Sequence, residues 1–499
     1  MINMMLASLP PLFLAFVLTG TNKSGVGALP ASAFGNGNER SANITIAFHD
    51  LTTVHEEKAD QDEDIHDVLV RIAKASQRNF VAAAPELGLD PSQFRYYPIA
   101  NAICIDLVPL EVIQELEARE DVFAISRNEK ASAHSPPPSQ EKNFKMQGFD
   151  ADSTGAFNGW DGDGDGGPVS SPWEGRLLEH VNQTELRQIV TFTGADKLWE
   201  MHQQGQGIVV GISSTGVNFE HEALDGYRGR NADGTYTHDY NWYDAFPNGK
   251  REPYDVFNLG THITGTIAGT KNGVGMAPRA KYISCRSINA LREDTPESML
   301  LCLQFFLAPF DVDGNNPNPK KRPDIVMTQT CESCDDSFFP MMQQTIVRMH
   351  EAGIFVISPS GGYFLGSSRC AKIRKPPANI DTVMTIGGIE ANSTHLVGSA
   401  SGPGRINGTV NFELLKPNAV TLGRAVLGPV FLNNQSLYFG ATGSTVSAAV
   451  ASGVVALLLR AMSNLLCEFC KKLLLPFWYL RAIVSQSRLL PTMFLVMVR

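Results

Sequence analysis

The sequence predicts an α/β protein, a doubly wound parallel sheet preceded by a small α+β unit. Three observations carry this. From Gly207 onward, short apolar strands alternate with helical stretches. Between Asn43 and Arg127 the order is strand, helix, strands, helix, strand. Between these regions, residues 129–186 turn polar, acidic and rich in Gly and Pro, as an exposed connector does.

Composition sets the outer bounds. A chain of 499 residues with 43% hydrophobic and 18% charged residues can bury a large core, and its length suggests two or three domains. The net charge of -10, with no dense basic run, argues against nucleic acid as a partner. The first 22 residues carry no charged side chain. "LASLPPLFLAFVL" followed by small residues up to Ala31-Ser32-Ala33 reads as a secretory signal over residues 1–33, although its amino end lacks Lys or Arg. Pro10 and Pro11 argue against a permanent membrane helix. Asn-X-Ser/Thr triplets at Asn43, Asn182, Asn392, Asn407 and Asn434 fit a secreted, extracellular glycoprotein.

In the first unit (43–128), "NITIAFHD", "FRYYPIANAICIDLV" and "DVFAISR" read as strands, and "DEDIHDVLVRIAKASQ" and "PLEVIQELEARE" as amphipathic helices. In the connector, "DGDGDG" sets Asp161, Asp163 and Asp165 as a calcium loop would begin. The twelfth position, however, is Pro172 where a bidentate Glu is needed, so an acidic linker is the better reading. The large unit (187–460) then runs strand "GIVVGIS", a helix from Leu259, "AKYISCRSI", helix "PESMLLCLQFFLA", "PDIVMTQ", helix "PMMQQTIVRMHEAG", "IFVIS", "DTVMTIGGI" and a helix from Thr445. Short apolar strands between helices predict a parallel sheet covered on both faces, with a cleft beyond the strands' carboxyl ends. The last helix is apolar all round, as a buried central helix is.

Eight cysteines suit disulfides. The two Cys-X-X-Cys pairs, Cys331/Cys334 and Cys467/Cys470, lie too far apart in sequence for a zinc ribbon. Cys331, Cys334 and Cys370 are placed in neighbouring loops where some pairing is plausible, and Cys104 in an apolar run reads as a buried thiol. Residues 461–499 form an atypical tail with no charge-free stretch long enough to span a bilayer; it reads either as a docking helix or as not a genuine segment.

The blocks "GQGIVVGISSTGVNFEHEAL", "NLGTHITGTIAGTKNGVGMAPRAKYI", "GIFVISPSGG" and "GSTVSAAVASGVVALLL" occur in the order found in subtilisin-like serine proteases, the subtilases, and resemble most the bacillopeptidase F-like branch. The unit 43–128 similarly resembles the inhibitory propeptide of those enzymes. The resemblance implies a subtilisin-like doubly wound sheet and a serine-type endopeptidase. It allows calcium without assigning a site. It also implies that the small unit could hold a polypeptide or a related protease.

Each block departs where the family's chemistry resides. The family's Asp, which orients the catalytic histidine, corresponds to Ser214; the histidine base to Leu259; the nucleophilic serine to Thr445; and the oxyanion Asn to Gly362. His262 matches a packed histidine one turn beyond the base, and His221 another structural one. The segment along which the family lays its substrate strand reads Gln329-Thr330-Cys331-Glu332, without the Gly that lets a peptide backbone approach. In subtilisin itself, losing nucleophile or base costs about 10⁶-fold in turnover. An oxyanion side-chain donor contributes about 10² to 10³. The expectation is therefore a secreted subtilase homologue without activity. The alternatives are an active endopeptidase with a relocated constellation, such as His262 with Ser444 or Thr445, and a degenerate gene product without function. The family's self-cleavage after its propeptide would likewise fail, leaving the junction after Arg127 closed.

Overall fold

The computed structural model describes residues 41–50, 54, 63–128, 177–178, 189–247, 249–334, 336–362, 373–406, 409–463 and 496–497. The signal, most of the acidic linker with Asp161, Asp163 and Asp165, the acceptors Asn182 and Asn407, and Cys370, Cys467 and Cys470 lie outside the described residues.

The small unit is one antiparallel sheet with two helices. Strands β1 (Ser41–Phe48), β2 (Arg95–Tyr97), β3 (Ala102–Pro109) and β4 (Val122–Arg127) lie in the order β2-β3-β1-β4, and helices α1 (Ile65–Ala83) and α2 (Leu110–Glu117) connect them. Side chains alternate between the faces of a strand, and here both faces are used. Ile44, Ile46, Phe48, Ile103, Ile105 and Ile125 pack with Phe80 of α1 and Ile113 and Leu116 of α2. The opposite face carries Ala47, Ala102, Cys104 and Ala124, small residues that join the core of the large unit. Asp64 caps α1 by accepting the N–H of His66.

The large unit adds β5 (Leu177–Leu178), α3 (Ala195–Glu200), β6 (Val209–Ser214), β7 (Trp242–Asp244), α4 (Leu259–Ala268), β8 (Lys281–Arg286), α5 (Pro296–Leu307), β9 (Ile325–Thr328), α6 (Phe339–Glu351), β10 (Phe355–Pro359) and β11 (Met384–Ile389). The hairpin β12 (Arg405–Ile406) and β13 (Thr409–Val410) follows, then β14 (Ala419–Leu422), β15 (Val426–Leu432), β16 (Gln435–Ala441), α7 (Ser444–Ser463) and β17 (Val496–Met497). The main sheet runs β17-β14-β11-β10-β9-β6-β8-β7 and is parallel except for β17 against β14. Alternation again assigns the faces. Val210, Ile212, Ile325, Met327, Phe355 and Ile357 face the core of α4 and α7, whereas Ile283, Cys285, Val326 and Val356 face that of α5 and α6. Gly211 has no side chain because a Cβ there would meet the Phe306 ring at 2.8 Å. The apolar window of α7, Ser444–Ala461, is 78% buried inside the protein, which suits a core helix.

Several elements go beyond the sequence reading. The hairpin β15–β16 turns at Asn433 and Asn434, both at positive φ, which asparagine tolerates. Cys285 of β8 is bonded to Cys302 of α5, a pairing across the sheet that spacing could not show. Cys331 bonds Cys334, while Cys104 is a free, buried thiol whose pKa burial pushes up to about 12. The tail, read as adding no recognisable element, contributes β17 to the sheet edge; two residues are too few to leave a hydrophobic period.

Polar contacts complete the seam between the units. Arg348 of α6 donates to both carboxylate oxygens of Asp50 at 2.7 and 2.5 Å and to the carbonyl of Ile99 at 2.7 Å. Arg95 and the Tyr97 hydroxyl meet Glu297 of α5 at 2.5 and 2.6 Å, and Arg322 meets Asp64 at 2.6 Å. The side chain of Arg348 is 3% exposed, so its charge depends on Asp50 for compensation.

Candidate active-site cleft

At the carboxyl end of the sheet, the exit of β6 and the first turn of α4 cross at backbone distance. Gly216 (φ +112°) and Gly260 are required there, since a Cβ on Gly260 would fall on the carbonyl oxygen of Gly216. Asn258 precedes the helix in left-handed conformation and makes no side-chain cap. Asp255 supplies the missing acceptor. Its carboxylate takes the N–H groups of Phe257, Asn258 and Thr261 at 2.9, 2.8 and 2.7 Å and the hydroxyls of Thr215 and Thr261 at 2.7 and 2.6 Å. A carboxylate at a helix N-terminus satisfies orphan donors and complements the dipole. The sequence reading missed Asp255; its only sequence signal is an acid a few residues before a helix that lacks a capping residue.

Ser214 ends β6 fully buried, and its hydroxyl has no hydrogen-bond partner among the described residues. Leu259 opens α4, half-buried and packed against the core that α4 shares with α7. One turn further, His262 is wholly buried, with Nε2 at 3.0 Å from the carbonyl oxygens of both Val426 and Phe439. These acceptors require the proton on Nε2, and burial holds the pKa down to about 4, so the ring is neutral and ties α4 to the β15–β16 hairpin. His221 is placed the same way: Nε2 meets the carbonyl of Leu437 at 3.0 Å, Nδ1 accepts from the N–H of Ala223, and burial lowers its pKa. Both histidines are therefore structural bolts.

On the other side of the cleft, Thr445 lies in the first turn of α7 and its hydroxyl donates to the Gln329 amide oxygen at 3.3 Å, just beyond β9. The Ser444 hydroxyl donates to the carbonyl of Gly361 at 3.0 Å. Gly362 forms an isolated bridge with Ser399; among the described residues a Cβ there would meet only the carbonyl oxygen of Gly398, at 3.6 Å.

The segment after β9 is closed upon itself. The Cys331 N–H donates to Pro376 O at 2.8 Å, and the Glu332 and Ser333 N–H groups donate to the carboxylate of Asp294 at 3.0 Å each. Asp294 also accepts the Ser333 hydroxyl at 2.7 Å. Burial raises its pKa even though the Ser333 and Glu332 bonds pull the other way. The Cys331, Glu332 and Ser333 N–H groups are thus engaged within the protein and Cys331–Cys334 bridges the loop, so these three donors are not available to an added strand. Sequence reasoning named Gln329 to Glu332 but not Asp294, which lies 38 residues from Glu332.

The described residues assign calcium no site built from clustered acidic side chains. Among them, no three His, Cys, Asp or Glu side chains converge. In the loop 311–316, the Asp311 carboxylate accepts the N–H groups of Asp313 and Asn315 and the amide of Asn316.

The subtilase family model matches residues 205–475, more than half of the chain. The chain belongs to the subtilase family. The match begins after the start of the large unit as read from sequence and extends past Arg460, where the block resemblance stopped. Bacillopeptidase F of Bacillus subtilis is 40% identical over 141 residues, covering 26% of this chain and 10% of that protein. Serine protease AprX of Bacillus subtilis is 25% identical over 325 residues, 59% of this chain and 67% of the relative. The extracellular basic protease of Dichelobacter nodosus is 24% identical over 299 residues, 54% of this chain and 46% of the relative. The chain thus spans about a tenth of the length of bacillopeptidase F.

Proposed function

We propose that this subtilase is a secreted homologue that does not cleave peptides. The observation that carries the reading is Leu259, a half-buried aliphatic side chain packed against the core at the first residue of α4, where the family pattern expects a base. Acyl transfer from a hydroxyl needs a base within hydrogen-bond reach of that proton. The Thr445 hydroxyl instead donates to an amide oxygen, which cannot accept the proton at neutral pH. His262 commits Nε2–H to two carbonyls. Asp255, the carboxylate nearest the base position in sequence, is occupied by five donors. Ser214 and Gly362 supply neither an orienting carboxylate nor a side-chain oxyanion donor.

A binding role is left to the fold. The propeptide-like unit could engage a polypeptide or a related protease, but its small-residue face is already docked in cis against α5 and α6, at high effective concentration. Binding in trans through that face must therefore displace the Arg348–Asp50 and Arg95–Glu297 pairs. Secretion is supported by the apolar amino end and by a relative whose name calls it extracellular. The test is direct: purified protein is treated with a fluorophosphonate probe and incubated with casein. No label and no hydrolysis above background are expected. Stoichiometric labelling at Ser444 or Thr445 would overturn the reading.

A further inference from the structure

The triplets at Asn43, Asn392 and Asn434 are indistinguishable by motif, yet the fold treats them differently. We infer that Asn392 and Asn434 are glycan acceptors standing near the rim of the cleft, and that Asn43 is not; this rests on the secreted reading above. Asn392 is exposed in a turn that leaves the carboxyl end of β11, the sheet end that also carries Ser214 and Gln329. Its amide oxygen accepts the Thr394 N–H at 3.1 Å and hydroxyl at 2.6 Å, so both required side chains lie in one exposed turn. Asn434 is exposed at the tip of β15–β16 with φ +59°. Three residues earlier, the N–H of Phe431 donates to the Asn258 side chain, which places the hairpin beside the start of α4.

Asn43 is held inside the small unit. It sits at the irregularity in the β1–β3 pairing, its side-chain oxygen accepts the Leu107 N–H at 2.9 Å, and its carbonyl accepts the Asn128 N–H at 2.8 Å. Thr45, the hydroxyl residue of that triplet, is 0% exposed and donates to the Asn128 side chain at 2.9 Å. A glycan on Asn43 would have to leave beside β1 while β3 closes over the same turn.

In the modification, the Asn Nδ2 attacks the anomeric carbon of an oligosaccharide carried on a polyisoprenyl pyrophosphate. The carbon–oxygen bond to pyrophosphate breaks, the lipid pyrophosphate leaves, and one amide proton passes to the transferase. Two bulky hydrophilic groups would then flank an inactive cleft and hinder macromolecules approaching it.

The full chain is expressed in a eukaryotic secretory host in two forms, one with its own amino end and one behind a host leader. Secretion of the first form tests the reading beneath this inference. The second form enters the pathway regardless and tests the inference itself. After N-glycosidase treatment, which converts each occupied Asn to Asp, peptide mass analysis is expected to find conversion at Asn392 and Asn434 and none at Asn43. Asn392→Gln and Thr394→Ala should each remove one glycan's worth of gel mobility shift, as should Asn434→Gln. Unmodified Asn392 and Asn434 in the secreted leader form, or an occupied Asn43 in folded product, would overturn the inference.

Discussion

The seam between the two units and the cleft at the end of the sheet are both rich in buried polar groups, but those groups are arranged differently. At the seam, charge meets charge: Arg348 with Asp50, Arg95 with Glu297, Arg322 with Asp64. At the cleft, hydrogen bonds run back into the chain that bears them: Asp255 into the first turn of α4, Asp294 into the 331–334 loop, His262 into β15 and β16. Ser214 is left with a buried hydroxyl that bonds nothing described. The difference teaches that packing and chemistry place separate demands on a side chain. Glycines, caps and structural histidines hold backbones in place whether or not a substrate arrives. A base or nucleophile contributes only when a reaction draws on it.

The largest expected effect is at the seam. Asp50→Ala leaves the Arg348 cation buried and uncompensated, and such a loss costs about 3–5 kcal/mol. Chemical denaturation should show this, and Arg348→Met added to it should recover part of the loss, because an apolar side chain removes the stranded charge. If Asp50→Ala proves neutral, the two units are not held together as described.

An intermediate effect is expected at His262, read from sequence as a packed histidine and held by two carbonyls in the structure. His262→Leu removes the buried Nε2–H shared by the carbonyls of Val426 and Phe439, and losing such a hydrogen bond costs about 0.5–1.5 kcal/mol. The sign of its pH dependence follows from the folded pKa of about 4, below the ordinary 6.5. Between those values the unfolded chain binds more protons. The contribution of His262 is therefore complete above pH 6.5 and is lost as pH falls toward 4, with a slope of at most about 1.4 kcal/mol per pH unit. Stability measured from pH 4 to 7 should fall less steeply on acidification in His262→Leu than in the parent protein.

The smallest effect is expected from repair. Gly362→Asn, combined with Ser214→Asp, Leu259→His and Thr445→Ser, would restore the side chains of the family's triad and oxyanion donor. Peptide hydrolysis should nonetheless stay near background, because the 331–334 segment remains tied to Asp294 and substrate misplacement by about 1 Å costs about 10²-fold. Rates approaching those of an active relative would show that the cleft is intact and that the loss is confined to four side chains.

Much of the fold was legible because burial leaves a period. The alternation of Val210 and Ile212, or of Ile325 and Met327, marks strands between two helical layers, and the small-residue run of α7 marks a central helix. The small unit was legible for the same reason, from Ile44 to Phe48 and from Ile65 to Phe80. β7 and β17 escaped because they are too short to establish a pattern. At the cleft, Ser214, Leu259, Thr445 and Gly362 were singled out from local blocks, whereas Asp294 was not: the groups it holds lie on another loop, and no local spacing records that contact.

The sequence by itself determined which side chains are available to the cleft and which are not, since no fold can give Leu259 a proton to move. It also determined the layered order of strands and helices, through periodicities that act over a few residues. Only the tertiary structure decided how the remaining polar groups are spent. His262 and Asp255 are common proton-handling types, and their roles follow from the carbonyls, N–H groups and hydroxyls packed around them. Likewise, of the Asn-X-Ser/Thr triplets, Asn392 and Asn434 stand exposed and Asn43 does not, because exposure is a property of the packed chain.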